Sequence, residues 1–177
     1  MSRLTDDWLS RLLDVAEQHP ERTSEDLGAS FDLNACDIEA TRVHLGSPFP
    51  DTADHEIRTR TLWIAALHRG LNADIERQAP LGTTHADLLV GRPGRGWEIV
   101  VEVKSRTTQR HAATQVLEYK RLFDADLAVV TAHPIDDRFA DDARARGVAV
   151  LTGQQTLDLI DALADGRSTV NLVASAA

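Results

Sequence analysis

The sequence predicts a mixed α/β fold, a central sheet flanked by helices, preceded by a small three-helix segment. Three observations predict it. Downstream of residue 51, helical patterns and short strand-like runs follow the order α-β-β-β-α-β-α-β-α. Upstream of residue 46, apolar residues recur at helical spacing. Between them, Gly46-Ser47-Pro48-Phe49-Pro50-Asp51 punctuates the two patterns with two prolines and a glycine. The expected division is 1–47, helical, and 51–177, the α/β domain.

The elements follow in order. Leu4, Trp8, Leu9, Leu12, Leu13 and Val15 make a first amphipathic helix after Thr5, its expected cap. Thr23-Ser24-Glu25-Asp26-Leu27 opens a second with acids in its first turn, and a turn at Phe31-Asp32 leads to a third over Ala35 to Leu45. Three short helices with a tight second turn resemble a helix-turn-helix unit. Asp51 or Thr52 is expected to cap a helix running to His68, which Gly70 and Asn72 stop. Strands are predicted at Asp74–Gln78, His85–Val90 and Trp97–Ser105, the last two joined by the turn-like Gly91-Arg92-Pro93-Gly94-Arg95-Gly96. A helix over His111–Phe123, a strand over Leu127–Thr131, a helix over Pro134–Arg146, a strand over Val148–Leu151 and a helix over Gln154–Leu163 complete the order.

Composition narrows the function classes. The single cysteine, Cys36, excludes an internal disulfide and a multi-cysteine metal cluster within one chain. Apolar runs such as Leu62–Leu67 fall far short of a membrane span, and no charged-then-apolar leader opens the sequence. The expectation is a cytoplasmic protein with no membrane partner. The formal charge of −9 is unevenly spread. Residues 1–56 carry four Arg against thirteen acids, whereas residues 91–121 carry five Arg and two Lys against three acids. The clearly basic window is therefore short and central.

Chemistry concentrates in that window. In Glu98-Ile99-Val100-Val101-Glu102-Val103-Lys104, strand alternation puts Glu102 and Lys104 on one face, about 6.6 Å apart. An acid and an ammonium in an apolar strand are costly to bury unless paired or bound to an ion. Asp87 lies on the preceding strand, and the tight connection brings it beside Glu102. Two carboxylates on adjacent strands form a hard, all-oxygen site of the kind that Mg2+ or Mn2+ prefers. A lysine two residues on suits metal-assisted phosphodiester hydrolysis.

Asp87 followed, fifteen positions on, by Glu102-Val103-Lys104 resembles the D…(D/E)-x-K signature of the PD-(D/E)XK nuclease superfamily. The resemblance spans Asp54 to Leu151 and implies a restriction-endonuclease-like αβββαβ core. Ala86 stands where the family name has proline. The family often places a metal-binding glutamate on the first core helix; Glu56 matches, and it shares a helical stripe with Trp63 and Leu67. Gln115-Val116-Leu117-Glu118-Tyr119 is similar to the Q-x-x-x-Y element of RecB-like and mismatch-type members, which implies that Gln115 lies near the scissile phosphate. Arg92, Arg95, Arg106, Arg110 and Lys120, with Tyr119 at the site edge, are the expected nucleic-acid contacts.

These readings predict a metal-dependent endonuclease or nickase of repair, restriction or defence type. DNA is the expected substrate, with RNA the other candidate, and a homodimer is expected where both strands are cut. The alternative is a non-catalytic DNA-binding or regulatory protein that keeps a nuclease fold as scaffold beside its helix-turn-helix-like module. The third helix offers Arg42 and His44 but also Asp37 and Glu39, which favours a structural, dimerisation or partner-docking role over base reading.

Overall fold

A computed structural model describes residues 6–46, 54–69, 74–81, 84–104, 111–167 and 173. The chain forms two compact units, Met1–Gly70 and Leu71–Ala177. Among the described residues the first holds four helices, α1 (Asp6–Gln18), α2 (Ser24–Phe31), α3 (Ala35–Gly46) and α4 (His55–His68). The second holds strands β1 (Asp74–Leu81), β2 (Thr84–Gly91), β3 (Ile99–Lys104), β4 (Leu127–Ala132) and β5 (Ala149–Leu151). Its helices are α5 (Ala112–Phe123), α6 (Asp137–Ala145) and α7 (Gly153–Ala164). The chain is thus α/β with a mixed sheet, and among the described residues no helix is long and apolar enough to cross a membrane.

In the first unit, Thr23 caps α2 by accepting the Asp26 N–H at 3.1 Å, and Asp32 ends it in the left-handed region at φ 54°. The chain turns tightly there because Gly28 lacks a side chain: a Cβ on it would sit 2.8 Å from the Leu33 carbonyl oxygen. Leu12, Leu27 and Ile38 are fully buried. The sequence reading joins α4 to the downstream sheet, whereas its packing places it with α1–α3. Trp63 of α4 packs on Trp8 in a tilted arrangement with ring centroids 5.7 Å apart, and Arg60 donates to Asp37. The cap of α4 is Asp54, which accepts the Ile57 N–H at 3.1 Å, rather than Asp51 or Thr52. Those two, like Thr5, lie outside the described residues.

In the second unit the five strands lie in sequential order. β1, β2 and β3 form an antiparallel meander; β3, β4 and β5 run parallel. Parallel neighbours need crossovers, which α5 and α6 supply. One face of the sheet presents Val100, Ala128, Val130 and Val150 to Ala112, Val116 and Tyr119 of α5 and to Ala140 and Ala143 of α6. On the other face the hydroxyls of Thr131 on β4 and Thr156 on α7 bond at 2.7 Å. Capping is local and sequence-encoded: Asp136 accepts the Phe139 N–H, and Thr152 with Gln155 forms a reciprocal capping box at α7. The β2–β3 connection closes on Gly91, where a Cβ would fall 2.0 Å from the Gly96 carbonyl oxygen.

Candidate functional site

The register that pairs Leu89 with Val100 and Leu88 with Val101 carries Asp87 to the level of Glu102. The ladder between β2 and β3 stops at Leu88, one residue short of that level. Asp87 takes its place: its Oδ2 accepts the backbone N–H of Val103 at 2.8 Å. Asp87 is 4% exposed and Glu102 2%, so both carboxylates are withdrawn from water. Lys104, whose side chain is 15% exposed, places Nζ 2.5 Å from Oε1 of Glu102. Alternation along β3 puts Glu102 and Lys104 on the face of Val100, the face covered by α5.

The energetics of this arrangement are specific. Removing a carboxylate from water costs several kcal/mol, about, even after relaxation. Lys104 offsets part of that cost for Glu102, and the Val103 amide does so for Asp87. The donor set is two carboxyl groups beside one lysine, a hard oxygen set of the kind that takes a divalent cation. Mg2+ typically uses one or two carboxylates and fills its remaining positions with water and substrate oxygens, so this donor set fits it. Among the described residues no three His, Cys, Asp or Glu side chains gather as a metal group.

A second irregularity lies at the same level. β1 and β2 pair through Arg77↔Leu88 and resume at Ala79↔Ala86 in unchanged register, omitting the pair Gln78↔Asp87 between them. Gln78 has φ 57°, the left-handed region. A residue with a Cβ adopts that conformation at a cost of about 1–2 kcal/mol, and such outliers concentrate at functional sites. Sequence reading missed Gln78 because glutamine carries no left-handed signal of the kind glycine or asparagine would. The strand-like pattern nevertheless ends at Gln78, three residues before β1 does.

The other predicted residues separate into groups. Gln115 lies half-buried on α5 and donates Nε2 to the Tyr119 hydroxyl at 2.8 Å. Tyr119 is buried in the core with Val116, so packing is its first role. Arg92, Arg95 and Lys120 are not brought beside Lys104. The β2–β3 connection and the C-terminal end of α5 both lie where β3 begins, since Ile99 pairs with Leu127 and the Lys120 carbonyl accepts the Ala125 N–H. Lys104 is where β3 ends, and from Ile99 to Glu102 the strand already rises about 10 Å. Arg92 is moreover committed to Glu98, with Nε to Oε1 at 2.6 Å and Nη2 to Oε2 at 3.0 Å, and that bond raises its pKa. Arg95 is exposed at the connection. Arg106 and Arg110 lie outside the described residues.

Glu56 differs from expectation. The stripe shared with Trp63 and Leu67 turns it inward on paper, yet its side chain is 44% exposed and binds Arg60 Nε at 2.6 Å. An acid in the first turn with an arginine four residues on stabilises the helix end without burial. Burial of Arg60 would lower its pKa, but its hydrogen bonds to Asp37 and Glu56 outweigh that and raise it. Glu56 belongs to the helical unit, and no third carboxylate joins Asp87 and Glu102 among the described residues.

On α3, Arg42 donates to the His19 carbonyl at 2.6 Å and to Ser24 Oγ at 3.2 Å, and Glu39 accepts from the same Ser24 hydroxyl. His44 bonds His68 of α4 through ring nitrogens 2.9 Å apart. The polar side chains that a base-reading helix would direct outward, Arg42 and His44, are used inside the unit. Comparison with known proteins gives no matching family model, no matching curated protein and no matching solved structure.

Proposed function

We propose that this protein is a divalent-metal-dependent nuclease of the PD-(D/E)XK type that hydrolyses phosphodiester bonds in DNA. The observation that carries the reading is the pair Asp87 and Glu102. They are buried at one level of adjacent strands, and Lys104 is bonded to Glu102 on the same face. Within the sheet unit, the order from β1 to β4, three strands, helix, strand, matches the βββαβ part of the restriction-endonuclease-like core and supports it.

In this reading Asp87 and Glu102 hold Mg2+ or Mn2+. The ion, when bound, supplies Lewis-acid chemistry at the phosphate and lowers the pKa of the attacking water. The Val103 amide holds the Asp87 carboxylate in place beside Glu102. Lys104, already held by Glu102, presents a positive charge where negative charge grows on the phosphoryl oxygens. The water oxygen would form the new bond to phosphorus and give up a proton to solvent as the P–O bond to the leaving sugar oxygen breaks, and that oxygen would take a proton from solvent. Gln115, oriented by Tyr119, is the further polar group proposed beside the substrate.

The alternative of a non-catalytic scaffold read by α3 has less support, because Arg42 and His44 are engaged within the helical unit. The test is cleavage of labelled single-stranded, duplex, flapped, mismatched and branched DNA, with RNA counterparts, in Mg2+, Mn2+ or EDTA. Metal-dependent cutting of DNA is the expected result. Cutting of RNA alone would change the substrate class, and binding without cutting under every condition would return the reading to the scaffold.

A further inference from the structure

Backbone pairing lapses on both sides of Asp87. Toward β3 the ladder has ended one residue earlier, at Leu88↔Val101; toward β1 the pair with Gln78 is skipped and pairing resumes at Ala79↔Ala86. A bulge would shift the register by one residue. Here the pairs before and after Gln78 keep the same register, so β1 has no residue inserted and changes only the backbone conformation of Gln78, at φ 57°. The Asp87 carboxylate then bonds to the neighbouring strand's backbone, at Val103.

We infer that Gln78 is a positioning residue: its left-handed backbone conformation releases Asp87 from the ladder with β1 and lets its carboxylate reach Val103, beside Glu102. The inference rests on the metal-site reading proposed above and deepens it. What Gln78 contributes is its φ, not its carboxamide. A glycine, which adopts positive φ without steric cost, preserves the site. A β-branched residue, for which this conformation is a true outlier, restores extended backbone at position 78 and draws Asp87 back toward pairing with β1.

The experiment is calorimetric titration of Mn2+ into the full chain as wild type, Asp87→Asn, Gln78→Gly, Gln78→Ala and Gln78→Val, with circular dichroism to establish folding. The expected result is binding that Asp87→Asn abolishes and Gln78→Gly retains, with Gln78→Val weaker by about tenfold or more. Gln78→Ala falls between them, and it decides the matter if Gln78→Val does not fold. Equal affinity in Gln78→Ala and, where folded, Gln78→Val would overturn the inference while leaving the metal site intact. Loss of binding in Gln78→Gly would also overturn it, by assigning the role to the side chain. Wild type that binds no Mn2+, or binds it equally with Asp87→Asn, would overturn the metal-site reading and this inference with it.

Discussion

Asp87 Oδ2 and the backbone N–H of Val103 are joined at 2.8 Å where the β2–β3 ladder has already ended. A side chain thus does the work of a backbone carbonyl, and a buried carboxylate is held at a fixed place beside Glu102. This separates two functions of Asp87 that mutagenesis can resolve. Asp87→Asn keeps an acceptor oxygen for Val103 and removes the charge, so it is expected to unfold in urea at least as late as wild type. Asp87→Ala leaves the buried amide unsatisfied and is expected to lose about 1–3 kcal/mol. Equal stability of the two variants would mean that the Val103 bond carries no structural load.

Lys104 and Glu102 form a close ion pair whose carboxylate is almost fully withdrawn from water. Lys104→Met alone is expected to destabilise the domain by up to about 3–5 kcal/mol, because it removes a cation bonded to a buried carboxylate. Adding Glu102→Leu removes that charge and is expected to recover most of the loss. Denaturant unfolding of both variants checks this, and a double variant no more stable than the single one would contradict it.

Gly91 is predicted to be intolerant of any side chain. A Cβ there would overlap the Gly96 carbonyl oxygen at 2.0 Å, within the backbone of the connection that sets β2 against β3. Gly91→Ala is expected to cost about 1–3 kcal/mol in thermal or urea unfolding, as overpacking does elsewhere. Stability within a few tenths of a kcal/mol of wild type, roughly, would show that the connection shifts freely.

The helical unit should lose stability in mild acid. Burial, then His68, then Arg69 hold the His44 pKa below its ordinary 6.5. The unfolded chain therefore takes up the proton first as pH falls. The contribution of neutral His44 is complete above about pH 6.5 and declines as the pH drops below it toward the folded-state pKa. Melting temperatures between about pH 8 and pH 5.5 are expected to fall less in His44→Gln than in wild type. Parallel profiles would contradict the assignment.

Much of this architecture was legible before any coordinates. Thr23 at the start of α2 and the turn at Phe31-Asp32 that ends it are signals within a few residues of the element they bound, and such signals survive in a single sequence. The alternation in Glu98–Lys104 located β3 to within a couple of residues at each end. The partner of α4 was not legible, because an amphipathic stripe says which face is buried and not against what. Glu56 was misread for the same reason: its stripe pointed inward, but Arg60 at four residues' distance supplied an exposed alternative. The cations of the central window were grouped by nearness in sequence. The strands then carried Arg92 and Arg95 to one end of β3 and Lys104 to the other. Gln78 was invisible because its conformation is imposed by the sheet around it and contradicts its own preference.

The most direct test of the central claim is cleavage of labelled DNA by wild type, Asp87→Asn and Lys104→Ala, side by side in Mg2+, Mn2+ and EDTA. The proposed site predicts cutting by wild type that EDTA abolishes, and a loss of at least about a hundredfold in each variant, equivalent to about 2.7 kcal/mol of transition-state stabilisation. Folded variants that cut at the wild-type rate, or cutting that persists in EDTA, would contradict it.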